Sequence, residues 1–335
     1  MVNKNKEIAV MILGPLGDVI NSSGVFRTLK KAYPDNPLSI ITIPAGVTAS
    51  YGIPDITNRY LFDRSKKGLK GLFEIWKFAF ANHGKFDTIV ILDTSFRSAH
   101  LAFMTGAKRR IGRRCNFRTP LLTGSIPFTK EEKNNVYVAE YYARCLKPLG
   151  LYKENIEPSF SYTKEDETRI TEILKEHNLQ DKKLLGFCPA CGQKIKTMQA
   201  EDAAEFIDLV NKKGDYKIVI TGGSDISDFA SRLKELCKTE FTDLTGKTKY
   251  GETAALIDKC SKFVSVDTSC QHLAIALKTP VVSLFFSRLY SKWGPADLKY
   301  NRLLVNQTDK HISAEKIYEN LTELTDKKFI EVNCR

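Results

Sequence analysis

The sequence predicts an α/β protein with doubly wound parallel sheets, and two patterns support this prediction. Short apolar, β-branched runs recur along the chain; they are residues 8–13, 38–43, 88–92, 184–187, 217–221, 263–266 and 280–285. Their apolar character is continuous rather than alternating, which is typical of parallel strands buried on both faces. Helix-like stretches such as 23–33 and 200–212 separate the runs, and this alternation indicates βαβ units.

The predicted strands fall into two groups, which indicates two domains. A polar segment, residues 152–183, lies between the groups and contains an apparent helix around 168–177. We therefore expect a Rossmann-like domain over residues 1–160 and another over 161–335, whose last helix could pack back on the first domain. Ligands of such sheets bind beyond the carboxyl ends of the strands, so we expect the loops there to line a cleft between the domains.

Composition limits the function classes. A hydrophobic fraction of 42% and a charged fraction of 27% are typical of soluble globular proteins. The apolar run behind the first lysines is too short for a secretion signal, so we expect a cytoplasmic protein. The net charge of +12 predicts an anionic partner: nucleic acid, phospholipid head groups or phosphorylated small molecules. The basic and aromatic motifs of known nucleic-acid-binding modules are missing, which disfavours nucleic acid.

The eight cysteines include one CxxC pair, Cys188 and Cys191. A structural zinc site would need a second pair at similar spacing, and the other cysteines, among them Cys334, are isolated in the sequence. We therefore expect reduced cysteines that act as small apolar residues, and no bound metal.

Polar loops follow four of the predicted strands. They contain Gly17 and Asp18; Gly192 and Lys196; Gly223 and Asp225; and Asp267, Thr268, Ser269 and His272. A helix that begins at 267–272 would offer unpaired N–H groups and hydroxyls to a phosphate, while Asp267 would suit the hydroxyls of a sugar. A simple helix cap at Asp267 or Thr268, with His272 packed in the core, explains the spacing equally well.

Asp18 has two interpretations as well: it is a helix N-cap, or a base beside the ligand. The surrounding loop has neither the P-loop pattern nor G-x-G-x-x-G, which disfavours a P-loop NTPase and a nicotinamide dehydrogenase.

Three stretches together resemble glycosyltransferase family 9, the heptosyltransferases. They are LGPLGDVINSSGVFRTLKKAYPD, GFCPACGQKIKTMQAEDAAEF and DLTGKTKYGETAALIDKCSKFVSVDTSCQHLAIALKTPVVSLFF. The resemblance covers roughly residues 6–310 and implies a GT-B fold, with acceptor bound by the first domain and donor by the second. It also implies inverting, metal-independent transfer of heptose from ADP-heptose to the lipopolysaccharide inner core, with no cofactor.

The resemblance further implies roles for individual residues. Asp18 matches the general base, Lys196 the lysine at the donor phosphates and Asp267 the residue that holds the sugar. The other donor-binding residues implied are Gly17, Gly192, Gly223, Asp225, Thr248, Thr268, Ser269 and His272.

Three departures leave the donor open. Ser269 replaces the family's glycine, and Met198 and Gln199 replace a tryptophan and a proline. A UDP-hexose or UDP-N-acetylhexosamine donor is the alternative, as is a non-catalytic relative that binds sugar nucleotide or lipid.

Two segments suggest contact with a lipid acceptor at the inner face of the membrane, as expected of a peripheral protein. One is the basic cluster Lys108, Arg109, Arg110, Arg113 and Arg114, for which a solvated face is the other interpretation. The second is an apolar stripe at helical spacing, Leu69, Leu72, Phe73, Trp76, Ala79 and Phe80, flanked by lysines. Such a stripe lies on a membrane or, more commonly, faces the core.

Overall fold

The computed structural model describes residues 3–115, 117–154 and 156–327, so Cys334 lies outside the described residues. The chain divides into two compact units, Met1–Ser159 and Phe160–Arg335. Among the described residues, no helix is both long enough and apolar enough to span a bilayer.

Unit 1 contains one six-stranded sheet in which all paired strands are parallel. Its strands are β1 (Glu7–Ile12), β2 (Leu38–Thr42), β3 (Asn58–Leu61), β4 (Phe86–Ile91), β5 (Arg109–Arg114) and β6 (Gly124–Pro127). Its α-helices are α1 (Leu16–Asn21), α2 (Ser23–Ala32), α3 (Pro44–Ser50), α4 (Gly68–Ala81), α5 (Phe96–Met104), α6 (Lys130–Asn135) and α7 (Val138–Ala143). The strand order is β3-β2-β1-β4-β5-β6.

Unit 2 repeats this plan. Its strands are β7 (Leu184–Cys188), β8 (Lys217–Ile220), β9 (Thr242–Asp243), β10 (Lys262–Val266), β11 (Val281–Phe285) and β12 (Asn301–Val305). Its α-helices are α8 (Lys164–Glu176), α9 (Ala200–Lys213), α10 (Ser227–Leu236), α11 (Tyr250–Lys259), α12 (Ser269–Ala276), α13 (Tyr290–Trp293) and α14 (Ala314–Glu323). The order β12-β11-β10-β7-β8-β9 is parallel throughout and, counted from β7, equals that of unit 1. This order is that of doubly wound, nucleotide-binding sheets.

The sequence builds each unit around its own core. The central strands β4, β7, β10 and β11 are buried at every residue, as their continuous apolar runs predict. In unit 2 the helices pack against this sheet through side chains such as Phe206, Leu233 and Leu321, which lie in one cluster with Phe187. Burial of each such side chain contributes about 1.5–3 kcal/mol. The helix α14 packs against α9 in this same unit.

The strand order fixes where ligands can approach each sheet. It reverses between β1 and β4 in unit 1 and between β7 and β10 in unit 2. At such a reversal the loops on the two strands run in opposite directions and leave a crevice at the carboxyl edge. Asp18 follows β1, Lys196 follows β7 and Asp267 follows β10.

Candidate functional site

The turn from β10 into α12 presents backbone N–H groups that no side chain of the described residues caps. Thr268 is the N-cap residue of α12, yet among the described residues its hydroxyl accepts no bond from the first helical turn. That hydroxyl lies instead 3.2 Å from Ser265 Oγ and 3.7 Å from Cys188 Sγ. Thr268 therefore occupies the N-cap position without the side-chain hydrogen bond that the capping interpretation expects of it. The helix start retains donors for an anion.

Lys196 and Asp267 form an ion pair across the reversal point of unit 2. Lys196 Nζ lies 2.8 Å from Asp267 Oδ2, at an angle that does not make a hydrogen bond. The Asp267 side chain is only 5% exposed, and that of Lys196 is 25% exposed. A carboxylate this deeply buried needs a nearby cation, and here the cation also borders the start of α12.

The loop that carries Lys196 is folded on itself. Thr197 Oγ1 donates to the carbonyl of Cys191 at 3.0 Å, and Met198 N donates to the carbonyl of Pro189 at 3.0 Å. The Met198 side chain is buried in the core of unit 2. Methionine in place of the family's tryptophan at position 198 therefore changes the packing beneath the loop.

His272 is a neutral imidazole in the first turn of α12. It is buried, and burial lowers its pKa to about 4, an effect that Asp267 opposes and Lys196 reinforces. Its ring lies 5.7 Å from that of Trp293, and its Nδ1 has no hydrogen-bond partner among the described residues. A buried, unpartnered ring nitrogen is a group that a ligand could satisfy.

Asp225 lies against both of the glycines that the sequence singles out in neighbouring loops. A β-carbon at Gly192 would lie 2.9 Å from Asp225 Oδ2, and one at Gly223 would overlap Oδ1. The loops after β7 and β8 therefore meet around this carboxylate, which is exposed.

Thr248 lies apart from these contacts, at the start of α11. Its hydroxyl is 2.8 Å from that of Thr253. It lines an open cavity of about 700 Å³ together with Arg169 of α8 and Glu252 of α11.

The CxxC pair does not form a joint thiol site. Cys188 Sγ is directed toward the carbonyl of Ala190 and toward Thr268, whereas Cys191 Sγ bonds the carbonyl of Gln193 at 3.5 Å. The described residues contain no cluster of three or more His, Cys, Asp or Glu side chains that could hold a metal ion.

In unit 1, Asp18 lies in the first turn of α1 and is not its N-cap. The N-cap residue is Pro15, so the capping interpretation of Asp18 is wrong. The Tyr142 hydroxyl, on α7, donates a hydrogen bond to Asp18 Oδ1. Burial raises the Tyr142 pKa well above its usual value, and the Asp18 charge adds to this effect, so the phenol stays protonated.

The backbone beside Asp18 leaves room for its carboxylate. A β-carbon at Gly14 would overlap Asp18 Oδ2, so a side chain at this position would require the carboxylate to move. Gly17 precedes Asp18 in the same helix, is buried, and accepts a hydrogen bond from Asn21 at its carbonyl. Gly17 thus belongs to unit 1, while the other implied donor-binding residues belong to unit 2.

The basic cluster is largely strand β5 and is not one solvated surface. Arg113 is completely buried, 3.0 Å from Glu132 and with its guanidinium 3.6 Å from the centre of the Tyr141 ring. The expected surface contact therefore does not include Arg113. Arg109 lies 3.4 Å from Asp87, and Arg110 donates to the carbonyl of Leu121. Lys108 and Arg114 are exposed.

Comparisons with known proteins agree with the fold and the motifs. Residues 80–322 match the model of glycosyltransferase family 9 (heptosyltransferase). Lipopolysaccharide heptosyltransferase 3 of Escherichia coli (strain K12) is 26% identical over 291 residues, which cover 83% of this chain and 82% of that protein.

Solved structures extend the likeness to nearly the whole chain. The glycosyl transferase family 9 structure from Veillonella parvula DSM 2008 has a TM-score of 0.83 at 22% identity, and covers 96% of this chain and 98% of its own. The structure of E. coli ADP-heptose lps heptosyltransferase II has a TM-score of 0.79 at 19% identity, with 95% and 98% covered. The predicted GT-B fold is thereby confirmed.

Proposed function

Because the chain belongs to glycosyltransferase family 9, the heptosyltransferases, and is a glycosyltransferase, we propose that it transfers heptose from ADP-heptose to the lipopolysaccharide core. The names of its relatives support this donor and this acceptor: one is a lipopolysaccharide heptosyltransferase and another an ADP-heptose lps heptosyltransferase. In this proposal unit 1 binds the acceptor and unit 2 the donor.

The observation that supports the donor site best is the Lys196–Asp267 ion pair, which lies just before α12, a helix whose N-cap residue makes no side-chain cap hydrogen bond among the described residues. The leaving group of the reaction is a nucleoside diphosphate, whose negative charge grows as the glycosidic bond breaks. An ammonium group and helical N–H groups stabilise that charge without reorganisation. Thr268, Ser269 and the neutral His272 add hydrogen-bond donors, and Asp267 accepts from hydroxyls of the sugar.

The remaining donor contacts follow from the loops around Asp225. Its exposed carboxylate is an acceptor suited to the ribose hydroxyls, and Gly192 and Gly223 keep the backbone beside it open. Thr248 would contact the base. Gly17 has no side chain, so it would contact the donor through its backbone.

The transfer step uses Asp18 as the base. The acceptor hydroxyl oxygen attacks the anomeric carbon on the face opposite the phosphate, and its proton moves to the Asp18 carboxylate. The bond from the anomeric carbon to the phosphate oxygen breaks, and its electron pair leaves with the diphosphate. One such displacement inverts the anomeric configuration, which NMR of the product would detect.

Donor identity is tested by turnover over a panel of nucleotide sugars with purified lipid acceptor, with and without chelator. We expect transfer from ADP-heptose at a rate that the chelator leaves unchanged, because Lys196 and α12 take the part of a metal ion. Turnover of UDP-hexose or UDP-N-acetylhexosamine alone would refute the heptose assignment. Loss of activity with chelator would refute metal independence.

The role of Asp18 is tested by Asp18→Asn. General-base catalysis contributes about 10²–10⁴-fold, so we expect kcat to fall at least 100-fold while the Kd for ADP changes less than about twofold. Asp35→Asn, which removes an exposed carboxylate of unit 1 paired with Lys4, is the matched control and should keep full activity. Unchanged turnover of Asp18→Asn would refute the base.

The acceptor also implies a membrane partner. A lipid-anchored sugar acceptor is presented at a bilayer surface, so we propose that the protein binds peripherally at the inner face of the membrane. In this proposal Lys108 and Arg114, the exposed members of the basic cluster, contact the head groups.

A further inference from the structure

The helix α4 exposes most of its apolar residues. Five large apolar side chains of this helix are solvent-exposed: Leu69, Leu72, Phe73, Trp76 and Phe80, the first and last of them by 85% and 90%. Monomeric proteins rarely expose such a continuous apolar face without a partner for it. The core-facing interpretation of this stripe is therefore wrong, except for Ala79, which is buried.

The exposed residues form one face of the helix. They recur at i, i+3, i+4, i+7 and i+11, a spacing that places them on one side of an α-helix. We call these five residues the α4 apolar face. The side buried by unit 1 is a different and narrower stripe, Gly71, Ile75 and Ala79. Ile75 belongs to the same buried cluster as Leu101 and Ala102 of α5, the helix on which α4 packs.

Contacts at its start hold α4 in a fixed orientation. Arg97 of α5 donates to the carbonyls of Arg64 and Lys66, at 3.1 and 2.8 Å. A β-carbon at Gly71 would lie 2.8 Å from the Lys66 carbonyl oxygen, so the chain before the helix packs closely on its first turns. The α4 apolar face is thus presented by the folded unit and needs no rearrangement to become exposed.

Lysines flank this face along one side. Lys70 and Lys77 lie on the neighbouring helical row, and Lys66 and Lys67 precede the helix; all four are exposed. Lys66 pairs with Glu74 at 2.7 Å, whereas the described residues place no carboxylate within ion-pair distance of Lys67, Lys70 or Lys77. Their charge is therefore available to an anionic partner.

We infer that the α4 apolar face docks on an anionic phospholipid bilayer, with α4 lying in the plane of the interface and its lysines at the head groups. At 14 residues the helix is about 21 Å long, too short for the roughly 30 Å of a bilayer core. An apolar face with tryptophan and phenylalanine beside lysines is the pattern of helices that bury one side at the head-group boundary. The inference rests on the proposed binding to a membrane, and it identifies the surface of the protein that makes this contact.

The test uses Trp76 as a reporter. The chain has two tryptophans, so Trp293→Phe leaves Trp76 alone in the full-length protein. Vesicles of phosphatidylcholine with roughly one third phosphatidylglycerol should shift its emission to the blue, and brominated lipid should quench it. In Trp76→Phe, which retains Trp293, vesicles should change neither the wavelength nor the quenching. Absence of a vesicle-dependent change at Trp76 would overturn the inference.

Variants of α4 separate the contributions of its apolar and its charged side chains to vesicle binding. Phe73→Ser/Phe80→Ser should lower vesicle affinity at least tenfold, and Leu69→Ser should lower it severalfold. The matched control Leu298→Ser removes an exposed leucine of unit 2 and should have no effect. Lys70→Glu/Lys77→Glu should abolish the preference for anionic over neutral vesicles, and about 1 M salt should do the same. Wild-type binding by Phe73→Ser/Phe80→Ser would overturn the inference.

Dimerisation through the α4 apolar face and failure of the proposed transfer reaction give results different from those of membrane docking. If the wild-type protein sediments as a dimer that Phe73→Ser/Phe80→Ser dissociates, and vesicles remain unbound, a second copy covers the face and the inference fails. Transfer to a water-soluble core oligosaccharide, detached from lipid, measures the proposed function separately. Normal transfer without vesicle binding refutes docking alone, and vesicle binding without transfer from any donor refutes the proposed function alone.

Discussion

The Asp18 carboxylate occupies the space that a β-carbon at Gly14 would fill, and it accepts a hydrogen bond from the phenol of Tyr142. The first contact is local and follows from a glycine four residues earlier in the sequence. The second joins residues 124 positions apart. The sequence motif therefore indicates Asp18, whereas Tyr142 carries no local signal, because only the packing of α7 near α1 brings the two together.

Gly14→Ala should disturb Asp18 without changing the charge of the site. Its β-carbon would overlap Asp18 Oδ2, so the carboxylate must move away from its present position. We expect kcat to fall at least tenfold, since displacements of about 1 Å at a reacting group cost this much or more. In an Asp18→Asn background Gly14→Ala should have little further effect. Additive losses would show that Gly14 acts elsewhere.

Tyr142→Phe should alter the pH dependence of transfer. The phenol donates to the Asp18 carboxylate, so its removal makes that carboxylate easier to protonate. The acid limb of the kcat/KM profile should move to higher pH, and kcat on the plateau should fall severalfold. A profile superimposable on that of the wild type would mean that Tyr142 only packs.

At the scale of elements, burial decides which strands the sequence predicts. The continuous apolar runs at 184–187 and 263–266 correspond to β7 (Leu184–Cys188) and β10 (Lys262–Val266), which are buried on both faces. The outer strands β3, β6, β9 and β12 escape this reasoning, because each has a neighbouring strand on one side only and none is buried at every residue.

The strand β5 is also not predicted from the sequence, but for a different reason. Its sequence, RRIGRR, reads as a basic surface patch, yet it lies between β4 and β6. Glu132 and the Tyr141 ring compensate the buried Arg113, and both belong to later helices. Sequence reasoning without these partners has no means of placing a buried arginine.

The helix α12 should make stability depend on pH through His272. Its folded pKa, about 4, lies below the ordinary value of 6.5. The neutral imidazole therefore contributes stability above pH 6.5, and this contribution is lost as the pH falls toward 4. Between pH 7 and pH 5 the loss is roughly 2 kcal/mol. Urea unfolding at both pH values should show that the free energy of unfolding decreases less in His272→Gln than in the wild type, by about this amount. Equal decreases in the two proteins would contradict the assignment.

At the scale of the whole molecule, the chain is two copies of one strand order, each with its own core. The Lys196–Asp267 ion pair and the start of α12 lie entirely in unit 2, and Asp18 with Tyr142 entirely in unit 1. Composition and periodicity suffice to predict two such sheets. They do not predict the partners of individual side chains.

This division predicts the behaviour of unit 2 alone. A fragment of residues 160–335 should unfold cooperatively in urea, because its sheet and its helices share one buried cluster. It should also bind ADP, within about tenfold of the intact chain by calorimetry, and should not transfer sugar. The fragment with Lys196→Ala should lose most of this affinity. A folded fragment that fails to bind ADP would contradict the assignment of the donor site to this unit.

In the proposed reaction, the ion pair between Lys196 and Asp267 would affect how the nucleotide product leaves the site. ADP carries an additional negative charge once the sugar has left its terminal phosphate. The buried Asp267 carboxylate, 2.8 Å from the Lys196 ammonium, would then repel that charge and compete for the same cation. The aspartate proposed to accept hydrogen bonds from the donor sugar would therefore weaken the binding of ADP after transfer. Faster release of ADP would limit inhibition of the enzyme by accumulated product.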